Sequence, residues 1–265
     1  MIPIKDNIHT DRFPFVTLGL IVANFVVYIL AIRHGGSFIS GPSELEVFRY
    51  GAIPYAVLHP GVHCAVVAPI SDPTAIKTVC NTHLLSQNHI PGANLLPSWE
   101  TIFTGMFMHA SILHIAGNMI FLWIFGNNVE DAIGPIPYLI FYILGGLAAF
   151  GLQLAFDPHS TVPTLGASGA IAAVLGGYIV LYPRARVLTF VFIVFFFTVI
   201  QLPAWVMLGV WFAEQAVFGA TGLTTAGGSG GGVAYFAHVG GFVFGLVAIR
   251  LFARRRRPYP EAAPA

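Results

Sequence analysis

Residues 13–32 run for twenty positions without a charged side chain, and long apolar stretches return at 102–125, 136–156, 165–181, 187–200, 202–218 and 233–252. Such repetition has one physical setting. A bilayer's hydrocarbon core is about 30 Å thick, and roughly twenty helical residues at about 1.5 Å each cross it. Charged residues make up only 9% of the chain, against about a quarter in soluble domains, so the chain lacks the means to cover a water-facing surface. In lipid every backbone N–H and C=O must be paired within the segment, so the spans are expected to be helices. The net charge of +1, with cations not interleaved with aromatics, argues against nucleic acid as a partner. The first run exceeds the 7–15 apolar residues of a signal peptide. The following Arg33-His34-Gly35-Gly36 lacks a small-x-small cleavage pattern, so the run is read as a retained first helix.

Residues 34–99 differ in character, with recurrent Pro, Gly, Ser, His and Asn, both cysteines, and apolar stretches too short to cross. They read as a long extramembrane loop. Lys and Arg gather at Lys5 and Arg12, at Arg184 and Arg186, and at Arg250 with Arg254 to Arg257, which by the positive-inside rule are cytoplasmic. The helices ending near 181 and 252 then both run inward, so an odd number of crossings separates them. The stretch 187–200 would rise only about 21 Å as a helix and cannot span alone; it is expected at the interface, leaving 202–218 as the single crossing. The expected fold is an all-α membrane protein, a single membrane domain of six helices (13–32, 102–125, 136–156, 167–181, 202–218 and 233–252). Both termini, including the 253–265 tail, are cytoplasmic, and the loop between the first two helices is exterior.

Polar groups at membrane depth are costly and mark function by default. Here they are His109, His114 and Asn118 in the second helix, Ser168 opening the fourth, Glu214 and Gln215 in the fifth, and His238 opening the sixth. Ser168 lies among small residues at a loop-to-helix junction, where a hydroxyl is approachable and the helix N-terminus favours developing negative charge. Ser168, Ala172 and Gly176 form one small-residue stripe, and His238, Gly241, Gly245 and Ala248 share another face. If the stripes pack, Ser168 and His238 meet at matching depth, as a base that takes a serine proton must. Glu130, Asp131 and Asp157 fall at helix ends and Glu214 is the only acid well inside a span, so a two-residue dyad is the simpler reading than a triad. His114 and Asn118, four apart on one helical face, fit either an oxyanion-binding role beside the Ser168 backbone N–H or plain interhelical hydrogen bonding.

A short fourth helix would leave Ser168 below the outer surface, in a water-filled cavity. The glycine run 227–232 fits a mobile cap over that cavity or a plain linker. In the loop, His59, His63, Cys64, Cys80 and His83 have spacings compatible with zinc, whereas two exterior cysteines read more simply as one disulfide. No His-Glu-x-x-His is present, and no metal or cofactor is assigned.

Three motifs together resemble the rhomboid-type intramembrane serine proteases: His114-Ile115-Ala116-Gly117-Asn118, Gly166-Ala167-Ser168-Gly169 and Ala237-His238-Val239-Gly240-Gly241, with a Gly126-Asn127-Asn128-Val129-Glu130-Asp131 turn after the first. The resemblance covers roughly 98–252. It implies a six-helix bundle of rhomboid type that cleaves peptide bonds in or near transmembrane segments of single-pass or multi-pass membrane proteins. By the same resemblance Ser168 is the nucleophile, His238 the base and then acid, and His114 with Asn118 the oxyanion donors. Two positions depart from the pattern: Trp99 is followed by Glu100 where many members have Arg, and Ala172 stands where some place an aromatic ring against the catalytic histidine. The alternative from another class is a non-catalytic relative that binds or chaperones transmembrane helices; a transporter, which would show inverted halves, comes third. A bacterial plasma membrane is the expected location, with the lipid bilayer as the surrounding partner.

Overall fold

The computed structural model describes residues 1–67, 77–81, 83, 96–193, 196–224 and 234–253. The glycine run 227–232 and Arg254 to Arg257 lie outside them. A short strand β1 (Ile2–Asp6) precedes helix α1 (Phe15–Ile32). Two short helices, α2 (Glu44–Tyr50) and α3 (Pro54–Leu58), and the hairpin β2 (Cys64–Val67) and β3 (Lys77–Cys80) follow. The chain then forms α4 (Glu100–Gly105), α5 (Ile112–Ile133), α6 (Pro135–Phe156) and α7 (Ser168–Leu181). A second hairpin, β4 (Arg186–Ile193) and β5 (Phe196–Pro203), leads to α8 (Ala204–Thr224) and α9 (Tyr235–Phe252). Among the described residues four helices, α1, α5, α6 and α9, are long and apolar enough to cross a bilayer.

The centre of the fold is α7, buried continuously from Gly169 to Tyr178. A helix enclosed on all sides needs small residues where neighbours press in. A Cβ on Gly241 would collide with the carbonyl of Gly169, one on Gly245 with that of Ala173, and one on Gly176 with that of Phe242. The α7 and α9 stripes therefore do pack, with backbones in contact. From the other side Gly145 and Gly146 of α6 receive Ala173 and Met106. Outward positions such as Phe15, Ile136, Val247 and Leu251 are exposed, which suits lipid as the solvent.

Buried polar groups tie the elements together. Glu130, near the end of α5, accepts from the backbone N–H of Val16 (2.9 Å) and Thr17 (2.7 Å) and from the Thr17 hydroxyl (2.7 Å), a carboxylate at the N-terminus of α1. Asp6 Oδ2 accepts from Tyr178 Oη (2.6 Å) on α7 and Asn128 Nδ2 (2.7 Å) on α5. Burial lifts the Asp6 carboxyl from its ordinary value near 4 to about 6, because losing water disfavours the charged form.

Between α1 and α5 a small module packs around Phe48, Ile53, Ala56 and Cys64. Its hairpin pairs Cys64 opposite Cys80, and the two are joined as a disulfide. The module reaches the bundle through Ala52, which exchanges both backbone hydrogen bonds with Thr164 (3.0 and 2.8 Å).

Two expectations are corrected. The fold is mostly helical but not all-α: residues 187–193 and 196–200 form most of the strands β4 and β5, to which β1 adds in the order β1-β4-β5. The run is rich in Val, Ile, Phe and Thr, which favour strands, and a run apolar on both faces carries no period to separate strand from helix. The hairpin begins and ends at one place, Arg186 opposite Pro203, so α7 ends and α8 starts at the same end of the bundle. The second helix is not continuous over 102–125. Residues 100–105 form α4, the chain turns through 106–111, and the span is Ile112–Ile133 with a π-bulge at Leu122–Gly126. The Ser111 hydroxyl accepts from His114 N–H (3.2 Å) and caps the new start.

Candidate active site

Ser168 is the first residue of α7, and the approach to it is tightly fixed. Gly166 has φ +116°, a conformation that favours glycine. Its N–H donates to the Gly105 carbonyl (2.9 Å). A Cβ there would also come within 2.9 Å of the His114 ring. Pairing of Thr164 with Ala52 holds the same loop from above. The serine hydroxyl is thereby delivered at a helix N-terminus, beside a positive dipole end.

Across the packed glycine face, His238 Nε2 lies 2.7 Å from Ser168 Oγ. Its other ring nitrogen, Nδ1, lies 2.7 Å from Gln215 Oε1 on α8. A carboxamide oxygen only accepts, so Nδ1 carries the proton and Nε2 is left bare towards the serine. Trp211, one turn before Gln215, lies against the imidazole with ring centroids 5.8 Å apart.

These groups line a cavity of about 640 Å³ together with His114 and Asn118 of α5. The Asn118 Nδ2 is buried and has no hydrogen-bond partner among the described residues. His114 Nδ1 accepts from the Ala110 N–H (3.4 Å), so its Nε2–H is the donor on the side of Gly166. Two residues with amide or imidazole donors therefore line the same cavity as a serine–imidazole pair, an arrangement compatible with stabilising an oxyanion.

All four residues singled out from the sequence, Ser168, His238, His114 and Asn118, line this one cavity. His109 is buried behind them with its ring edge-on to His114 at 5.0 Å. Glu214 is exposed and takes no part in the Ser168–His238–Gln215 chain. Sequence reasoning flagged Gln215 without giving it a role and passed over Trp211. Their spacing of four puts them on one helical face, the signal that was available. Ala172 is indeed small, and the aromatic ring beside His238 comes from α8 instead. In the disulfide module, His59 bonds the Tyr55 carbonyl (2.8 Å) and stacks on the Tyr55 ring. The two cysteines are bonded to each other, and no group of three or more His, Cys, Asp or Glu fit for a metal occurs among the described residues.

A family model described as the Rhomboid domain matches residues 97–255, more than half of the chain. The chain belongs to the rhomboid family. Among its relatives, Rhomboid protein 1, mitochondrial, of Saccharomyces cerevisiae is 28% identical over 199 residues, covering 73% of this chain and 51% of that protein. RHOMBOID-like protein 12, mitochondrial, of Arabidopsis thaliana is 31% identical over 186 residues, covering 63% and 49%. Rhomboid protease GluP of Bacillus subtilis is 35% identical over 78 residues, covering 29% and 15%. The rhomboid chain in hand thus spans about half the length of the first two. It is a multi-pass membrane protein by family and by its apolar helices.

Proposed function

We propose that this rhomboid protein is an intramembrane serine endopeptidase that hydrolyses peptide bonds in or near transmembrane segments of single-pass or multi-pass membrane proteins. The observation that carries the reading is the 2.7 Å approach of Ser168 Oγ to the bare Nε2 of His238 at a helix N-terminus. In this reaction Nε2 takes the hydroxyl proton while Oγ attacks the scissile carbonyl carbon. The negative oxygen that forms is held by Asn118 Nδ2, His114 Nε2–H and the Ser168 N–H. The C–N bond then breaks as His238 returns the proton to the leaving amine, giving an acyl-enzyme. A water, deprotonated by the same imidazole, attacks that ester and releases the carboxylic acid and free Ser168. Neither a metal nor a cofactor is needed for these steps.

The proposal includes a six-helix arrangement, α1 and α5 to α9, as one rhomboid-like membrane domain with both termini cytoplasmic and the disulfide module exterior. Support comes from the cation clusters and from the sheet that joins β1 to the hairpin after α7. A bacterial plasma membrane has support from the Bacillus subtilis relative, whereas the two mitochondrial relatives point to an organellar membrane.

The deciding experiment is labelling of the detergent-purified protein with a fluorescent fluorophosphonate, beside cleavage of a model transmembrane substrate in liposomes. Labelling and cleavage that both vanish in Ser168→Ala and in His238→Ala, with folding retained, are expected. Unchanged cleavage in Ser168→Ala overturns the protease reading. Loss of neither signal, because none exists in the wild type, favours a helix-binding or chaperoning relative.

A further inference from the structure

An imidazole can serve Ser168 in only one of its two neutral forms. With the proton on Nδ1, Nε2 accepts from the hydroxyl; with the proton on Nε2, the ring can only donate to it and no base is present. In water the two forms interconvert freely, so something must bias His238. Serine hydrolases of the three-residue kind use a buried carboxylate for this, yet the only acid on α8 near this level, Glu214, is exposed. The group at Nδ1 is instead the neutral carboxamide of Gln215, with Oε1 at 2.7 Å. Gln215 and Trp211 approach His238 from the same face of α8, one through a hydrogen bond and one through its ring.

The geometry points to Gln215 as the positioning residue of His238: its carboxamide oxygen takes the Nδ1 proton, holds the ring in plane and fixes the form whose Nε2 faces Ser168. The chain is then Ser168–His238–Gln215, a neutral counterpart of a charged triad. Its catalytic consequence rests on the protease reading; the tie itself does not. A carboxamide differs from a carboxylate in one respect that can be measured. It sets the tautomer without supplying charge to stabilise the imidazolium, so the proton is held less tightly at His238 than in an acid-backed site. The other titratable groups around the ring are His114 from α5 and Tyr235 from its own helix, both lining the same cavity. No Lys or Arg lines it among the described residues.

Two measurements on the full chain in detergent test this. The first is the 15N NMR spectrum of histidine-labelled protein, with His238→Ala used to assign the resonances of the ring. The Nδ1–H form is expected in the wild type, and a mixture or the Nε2–H form in Gln215→Leu. An Nε2–H wild type, as would follow if the amide NH2 faced the ring, overturns the proposal, and so does a spectrum that Gln215→Leu leaves unchanged. The second is the rate at which a fluorophosphonate labels Ser168 as a function of pH. Gln215→Leu should slow labelling about tenfold to a hundredfold, less than the roughly 10²–10⁴ expected for losing the base outright. With a peptide substrate the loss should fall on kcat and leave KM unchanged. Gln215→Glu places a carboxylate at the same nitrogen, so the acidic limb of the profile should move up by about one pH unit or more. A limb that does not move places position 215 away from Nδ1 and overturns the proposal, even if Gln215→Leu fails to fold. A wild type with His238 in the Nδ1–H form but no labelling of Ser168 sinks the protease reading and still supports the tie.

Discussion

At Asn118 a buried amide nitrogen has no partner among the described residues, a condition that costs about 1–3 kcal/mol in an ordinary core. It persists where the partner is charge that appears only during reaction. Asn118→Ala should therefore lower kcat by about 10²–10³, equivalent to roughly 2.7–4 kcal/mol, with KM and the melting temperature little changed. His114→Ala should cost a similar factor in kcat and also lower the melting temperature, because its ring fills the space against Gly166. A drop in melting temperature for Asn118→Ala as large as for His114→Ala would count against a donor held in reserve. Asp6 gives a prediction of a different kind. Its folded value, about 6, exceeds the unfolded one near 4, so the folded state binds the proton more tightly. Stability from this group is present at low pH, falls as pH rises from about 4 to 6, and is lost above that. Asp6→Asn keeps an acceptor for Tyr178 and Asn128 without the charge. Its unfolding free energy, from denaturant titration, should match the wild type at pH 4 and exceed it at pH 7, by a margin on the order of 3 kcal/mol at most. The same margin at both pH values would refute the linkage.

Among the elements, the contact of α7 with α9 sets the register of Ser168 against His238. Gly241 lies beside the Gly169 carbonyl, and backbone cannot swing aside as a side chain can. Gly241→Val should separate the two helices, destabilise the protein by about 1–3 kcal/mol or more and abolish fluorophosphonate labelling. Gly151 in α6 meets nothing within 4 Å, so Gly151→Ala is expected to be neutral or to stabilise by up to about 1 kcal/mol. Equal damage from both would show that helix glycines matter here for some reason other than close approach. The α7 to α9 contact was legible in the sequence because small residues every third or fourth position leave a periodic mark. The bounds of α6 were legible as the apolar run 136–156, which the helix Pro135–Phe156 matches to one residue, whereas the end of α5 was not: the run was closed at 125 and the helix continues to Ile133. The break before α5 was hidden, because Met106 to Ala110 are as apolar as the helices around them. The hairpin 186–203 was hidden too, since apolar residues on both faces read equally as helix or strand. At the site, the reacting residues stood out as costly polar groups, whereas the partner of His238 depended on the rotation of α8, which no sequence period fixes.

The whole molecule has two unlike ends. At one, the disulfide module pairs with the loop before Ser168 through Ala52 and Thr164; at the other, β1 joins the hairpin that bears Arg186. The sheet holds residues near 7 and 201 at one end of the bundle, and in the proposed six-helix arrangement α7 separates that end from Thr164. In the proposed topology that side, which carries Lys5, Arg12, Arg184 and Arg186, is the cytoplasmic one by the positive-inside rule, and the disulfide lies on the opposite, oxidising side. Single cysteines at three exposed positions, His9, His159 and Gln201, in a Cys64→Ser, Cys80→Ser background turn this into a measurement. In intact bacterial cells producing the protein, a membrane-impermeant maleimide should label His159→Cys at once, and His9→Cys and Gln201→Cys only after the membrane is opened. Labelling of His9→Cys and Gln201→Cys from opposite sides would contradict the β1-β4-β5 sheet. Labelling of His159→Cys and Gln201→Cys from the same side would mean that α7, the helix that presents Ser168, does not cross, and the buried site built on it would have to be abandoned.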